Sequence, residues 1–368
     1  MKIYCSRNDL NKSLNNVSHA VPVRTTSPIL EGILFEVNNN VIKLCATDTT
    51  MIIESCLNAD NSEDCSFVVP AKLFTSIISK LPEDELMLEY DNSKNKLSIK
   101  CGGSTSEIVC FKSDEFPRVK IDEGNNVIRI SKESMKKLIR KTSFSASTDD
   151  FNGILTGVLL EIKDGNMKMV AVDPFRIATY NVALDSTKDD VNVVIPAKLA
   201  NDVAKIISDD SDDTMTLEVI DKKIVLNFDN NKVVINTFSG KYIDYERILN
   251  KEGEINIRIK REDLLKSIDR ASLLTSVQNN NLIKFEIEDD IITINSLSDE
   301  GNIEEKIEII KEGDNLLIGL NSKYLKDILS VIEDEEILMN FKDQVSPCII
   351  KPLKGETYKY LVLPIRIN

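Results

Sequence analysis

Three lysines stand at the same place in three versions of one phrase. Lys72 lies in Val69-Pro70-Ala71-Lys72-Leu73, Lys198 in Ile195-Pro196-Ala197-Lys198-Leu199, and Lys323 in Leu320-Asn321-Ser322-Lys323-Tyr324. They are 126 and 125 residues apart. A lysine on an exposed helix offers a mobile point charge, which suits contact with phosphate rather than the reading of a base. Carboxylates recur too: Ala46-Thr47-Asp48 returns as Ala171-Val172-Asp173. Paired carboxylates could serve acid–base or metal chemistry, and so could the run Asp209, Asp210, Asp212 and Asp213. That run lacks the spacing of a calcium loop and reads as a solvated turn. Asp48 and Asp173 are copies in different repeats, so each reads as a turn residue. His19 is the one histidine, and no P-loop, nucleophile elbow or glycine-rich dinucleotide fingerprint is present. Catalysis has no obvious seat.

The elements that must carry these lysines repeat with them. A first helix in each copy holds Leu10, Met135 or Leu264, spaced by 125 and 129 residues. The start of the first, at Ser6 with Asp9 three residues on, resembles a capping box. Leu73, Ile77, Ile78 and Leu81 make the apolar stripe of the second helix in the first copy. Between the helices lie alternating segments such as Ile33–Val37, Val41–Ala46, Leu155–Ile162 and Ile283–Ile287, which predict strands. A period near 125 residues is that of a whole domain, too long for a solenoid unit. The 368 residues therefore predict three domains, 1–122, 123–250 and 251–368. Segments Arg118–Asn126 and Leu249–Glu254 read as linkers. Each domain is predicted to be α+β, with two helices packed together on antiparallel sheet.

Composition narrows the class. Hydrophobic content of 42% and charged content of 29% suit an ordinary globular chain. No apolar run is long enough to span a bilayer, and the start leads straight into a strand, so neither membrane nor signal peptide is expected. Seven cysteines without a C-x-x-C pair suggest thiols in a reducing cytoplasm, with no metal and no cofactor. The net charge of −14 taken alone argues against nucleic acid. Its distribution argues the other way. The six helical stretches hold 17 Lys and Arg against 7 Asp and Glu, a net of +10, while the rest of the chain carries −24. Six basic helices in an acidic protein predict a phosphate-contacting surface with a DNA-repelling exterior.

Arg24 with Ser27-Pro28-Ile29-Leu30, Ala46-Thr47-Asp48, Val69-Pro70-Ala71-Lys72, Asp173 with Arg176, Phe238 through Tyr245, and Leu363-Pro364-Ile365-Arg366 occur together and in order. In these residues, and in its threefold repeat from end to end, the chain resembles the bacterial sliding clamps, the β subunits of DNA polymerase III. The resemblance implies a DNA-clamp fold of three similar domains and a head-to-tail homodimeric ring. It implies a non-catalytic processivity factor that encircles double-stranded DNA and tethers the replicative polymerase.

Carried over residue by residue, the resemblance implies that Arg24, Lys72, Arg140, Lys141, Lys198 and Lys323 face DNA phosphates. It implies an apolar groove formed by Leu155, Val172, Pro174, Phe175, Arg176, Ile177, Ile243, Ile248, Val362, Leu363, Pro364, Ile365 and Arg366. That groove would take short hydrophobic peptide motifs of the polymerase, the clamp loader and repair proteins. The ring interface would use Leu273 and Leu274 against the strand holding Ser106 and Ile108. Two departures bear on the groove and one on the ring. Members of the family often have Gly-His where this chain has Pro174-Phe175, often a proline at Ile243, and commonly an aromatic at Ser106. The competing reading of Leu363–Ile367 is a terminal strand packed on its own domain.

Overall fold

A computed structural model describes residues 1–82, 85–118, 127–184, 190–208, 214–276 and 280–367. The Asp209–Asp213 run and all but the first residue of the Arg118–Asn126 linker lie outside these. Contacts group the described chain into two compact units, 1–132 with 205–237 and 133–204 with 238–368. The described residues contain no helix long and apolar enough to cross a membrane.

Among the described residues seven α-helices alternate with strands: α1 Arg7–Ser18, α2 Ala71–Lys80, α3 Lys132–Arg140, α4 Ala197–Ile206, the single turn α5 Glu246–Leu249, α6 Arg261–Ala271 and α7 Ser322–Val331. Ser6 caps α1 by accepting the Asp9 N–H at 3.3 Å, and Asn321 caps α7 by accepting the Tyr324 N–H at 3.1 Å. α1 packs on α2, and α6 on α7. The first residue of the earlier helix fastens each pair. Arg7 donates to the carbonyls of Ile78 and Ser79 at 3.0 and 2.6 Å, and Arg261 to that of Leu329 at 3.2 Å. A guanidinium thus satisfies last-turn carbonyls that have no intrahelical partner.

The strands form four antiparallel sheets, two of nine strands, one of five and one of four. Both nine-stranded sheets run across the sequence repeat. Met51–Asn58 of the first copy pairs with Asn231–Asn236 of the second, Ile235 opposite Met51. Arg176–Ala183 of the second copy pairs with Tyr358–Val362 of the third, Val362 opposite Arg176. Strand core faces are filled by side chains such as Ile33, Phe35, Phe67, Phe285 and Tyr360, none of them measurably exposed. Glycine is required at one recurring spot. A Cβ on Gly32 would meet the Val68 side chain at 2.3 Å, and one on Gly157, its copy 125 residues later, the Val194 side chain at 2.6 Å.

Several predicted boundaries move. Leu155 lies within a 3₁₀ segment, Asp150–Thr156, and the strand starts only at Gly157. Leu249 closes α5 instead of opening a linker. Leu273 and Leu274 belong to a 3₁₀ turn after α6. The strands Arg176–Ala183 and Gly301–Glu308 are additions that alternation did not reveal.

Candidate cationic face and apolar groove

The helix cations separate into two sets. Some are paired with carboxylates: buried Lys132 with Asp229, and the surface cations Lys266 with Glu262 at 2.7 Å, Lys326 with Asp269 at 2.7 Å, and Arg270 with Glu305 at 2.5 Å. Arg24, Lys72, Arg140, Lys198 and Lys323 are all exposed. Within the described residues, no hydrogen bond or ion pair engages them. Lys141 departs from its expected role. It is only 7% exposed, pairs with Glu333 at 3.1 Å, and lies 5.2 Å from the centre of the Tyr180 ring. It acts as a packing cation and not as a solvated one.

Lys72, Lys198 and Lys323 are each the second residue of their helix. That position is electrostatically poor for a cation, because the amide ends of the first turn already carry positive partial charge. The first turns of α2, α4 and α7 hold no acid, whereas α1 has Asp9, α3 has Glu133 and α6 has Glu262 and Asp263. The three unpartnered lysines therefore lower helix stability slightly and concentrate positive potential at the helix start. Such an end receives anions.

The groove residues fall into a floor and a rim. Val172 and Ile177, from either side of a hairpin turn, are buried in a cluster with Tyr242, Tyr245, Leu249 and Leu361, against which Leu155 and Ile248 pack. Val362 is buried as well. Phe175, Ile243 and Leu363 remain 53%, 40% and 37% exposed, and Pro174 and Arg366 are exposed beside them in sequence. The tail is anchored through its backbone: the Leu363 N–H donates to Phe175 O and the Ile365 N–H to Gly319 O, both at 2.8 Å. The tail is thus held by the second repeat at Phe175 and by its own at Gly319, while the Leu363 side chain still reaches solvent.

Arg176 is no part of an open rim. It is 8% exposed, and its guanidinium donates to Asp173 at 2.9 Å, Asp327 at 2.6 Å and the Phe144 carbonyl at 2.6 Å. It also lies 4.5 Å from the centre of the Tyr324 ring. One side chain ties the hairpin turn to α7 and to the segment after α3. Tyr324 and Asp327 went unrecognised as neighbours of the groove, since the helical pattern placed Tyr324 in an apolar stripe. Its being the one aromatic there was the available signal.

The carboxylates considered for chemistry are engaged locally. Asp48 accepts the N–H groups of Thr50 and Met51 at 2.9 and 2.8 Å, and Asp173 those of Phe175 and Arg176 at 2.8 and 2.9 Å. Both shape turns. Among the described residues no cluster of metal-ligating side chains could hold an ion. Burial pushes the thiols of Cys5, Cys45, Cys65 and Cys110 up to about 12, well away from nucleophilic use at neutral pH. For the ring interface, Ser104–Val109 is the edge strand of the five-stranded sheet. Ile108 is buried on its core face and Ser106 half-buried beside it in the same row, while Leu273 is 77% exposed. Ile108 can serve such an interface through its backbone only.

Three family models match in succession: the DNA polymerase III beta subunit N-terminal domain over residues 1–120, its central domain over 129–244, and its C-terminal domain over 246–366. A curated relative from Staphylococcus epidermidis, described as a beta sliding clamp, is 30% identical over all of this chain and 99% of its own. A solved structure from Eubacterium rectale, a putative DNA polymerase III beta subunit, is 33% identical with a TM-score of 0.95. The Bacillus subtilis DNA polymerase sliding clamp is 29% identical with a TM-score of 0.96, and each of the two structures is matched over the full length of both chains.

Replacing Arg176 with Ala strands Asp173 and Asp327 and should lower stability by about 3 kcal/mol in urea denaturation. Arg366→Ala, on an exposed tail, should stay within about 0.5 kcal/mol.

Proposed function

The chain belongs to the β-subunit family of DNA polymerase III, the β sliding clamps, and from that premise we propose that two copies close head to tail into a ring around duplex DNA. It is a processivity subunit and no enzyme. The observation that supports closure is the unfinished pattern of strand pairing. Met51–Asn58, Arg176–Ala183 and Gly301–Glu308 begin 125 residues apart and hold the same place in the three repeats. The first two are each paired to the last strand of the following repeat. Gly301–Glu308 has no following repeat in its own chain and is a sheet edge. Ser104–Val109, the last long strand of the first repeat, has no preceding one and is also an edge. An open long edge invites another chain. Two different edges that complete each other make a heterologous contact, which closes into a ring when the rotation permits.

The register follows from the two finished junctions. Ile235 opposite Met51 and Val362 opposite Arg176 extrapolate to Ile108 opposite Gly301 and Ser106 opposite Ile303. Leu273 and Leu274 lie in the turn packed beside the Gly301–Glu308 strand and supply apolar cover there. Residues 1–122, 123–250 and 251–368 are the three modules, so two copies contribute six.

Duplex DNA passes the ring unread. Arg24, Lys72, Arg140, Lys198 and Lys323 meet phosphates, without the base-edge contacts that would halt sliding. The apolar groove takes short hydrophobic motifs from the replicative polymerase, the loader and repair proteins, in the cytoplasm. Energy for opening comes from a separate loading machine.

The pairing is tested by Ser106→Cys combined with Ile303→Cys. Oxidation should give a covalent dimer on a non-reducing gel that the wild-type chain, with its native thiols alone, does not give; a monomer would refute this register. The lysines are tested by Lys72→Ala, Lys198→Ala and Lys323→Ala together. The triple variant should remain dimeric, and the salt dependence of its binding to short duplexes should fall by up to about five units of slope, two copies losing three lysines each. An unchanged slope would remove these lysines from the DNA path.

A further inference from the structure

The seam between copies keeps the main-chain ladder of the two internal junctions but little of their side-chain packing. Ile53, Ala178 and Ile303 hold the same place on the three junction strands. Ile53 stands opposite Val233 and Ala178 opposite Tyr360, all four sealed from solvent. In the register extrapolated above, Ile303 faces Ser106, whose side chain brings almost no apolar surface to bury. Two residues on, the internal pair Tyr180 and Tyr358 becomes Glu305 and Ser104. The cover thins as well. Phe144 lies on Tyr360 with ring centroids 6.0 Å apart. Leu273, its counterpart 129 residues later, is 77% exposed in the single copy and would find only Ser106 beneath it.

The polar ties follow suit. Asn16 donates to Asn231 at 3.1 Å and Lys141 pairs with Glu333 at 3.1 Å, each reaching into the following repeat. Their counterpart Arg270 is turned back on its own repeat, donating to Glu305 at 2.7 and 2.5 Å and to Ser267 at 3.1 Å. We infer that Ser106 limits the lifetime of the ring, and that the protein leaves circular DNA through this seam unaided. Loading is driven by a separate machine; release needs none. This inference rests on the ring reading above. A ring of two copies has two identical seams. Opening either one frees the duplex, so residence on DNA follows a single seam. Separation into monomers breaks both, so the dissociation constant responds as the square of the change at one.

The test follows the loss of labelled protein from nicked circular DNA, after loading and isolation, against an excess of unlabelled protein. The wild-type half-life should be on the order of minutes, still far longer than on the same DNA once cut. Ser106→Phe sets a ring beneath Leu273 and should lengthen that half-life about tenfold. Its dimer should dissociate on dilution at concentrations about a hundredfold lower. Ser106→Cys with Ile303→Cys, loaded reduced and then oxidised on the circle, should not leave at all, whatever the fit of a phenylalanine. A wild-type ring that persists for hours, like the cross-linked one, overturns the inference while the ring survives. So does a cross-linked ring that leaves as fast as wild type, or a folded Ser106→Phe protein with an unchanged half-life. A wild-type protein held no longer on the circle than on cut DNA overturns the ring reading itself.

Discussion

Main-chain hydrogen bonding from one repeat to the next is the constraint on which the remainder depends. A strand that begins at Met51, and again at Arg176, finds its partner in the final strand of the succeeding repeat. Each such ladder satisfies donors and acceptors that would otherwise stand open along a sheet edge. Three repeats have three such strands but only two successors in the chain. The third strand, Gly301–Glu308, and the first terminal strand, Ser104–Val109, are therefore complementary remainders. Head-to-tail association completes a rule already obeyed twice, and it needs no new kind of contact.

Charge follows the same economy. The fold neutralises cations that it uses, such as Lys132, Lys141 and Arg176, with specific carboxylates. It leaves Lys72, Lys198 and Lys323 without counter-ions at helix ends where the dipole disfavours them. Sacrificing some helix stability three times over makes sense if a polyanion supplies the missing charge. On the proposal that each contact is to phosphate, the affinity depends on salt and not on sequence, which is the condition for sliding.

Much of this was legible in the residues themselves. The repeat, the six helices and the excess of helix cations followed from spacing and counting, because amphipathic helices announce their faces. The strands that carry the junctions did not. Arg176–Ala183 is buried on both faces over most of its length, and Gly301–Glu308 is a polar edge, so neither shows clean alternation. The resemblance implies Lys141 at the DNA face and Arg176 in the groove, and neither ion pair is legible because the acids, Asp327 for Arg176 and Glu333 for Lys141, lie far along the chain. The stack of Phe175 on Tyr324 joins residues 149 positions apart and has no local trace. Turn carboxylates fared better: Asp48 and Asp173 act within three residues of themselves, where sequence reasoning is strongest.

The central claim is topological, so the decisive measurement is retention rather than affinity. Protein loaded onto nicked circular DNA by a clamp loader is separated from free protein and the DNA is then cut once. A closed ring should stay on the intact circle at high salt and slide off the linear product, unless both ends are blocked. Protein that remains on unblocked linear DNA as firmly as on the circle would contradict encirclement.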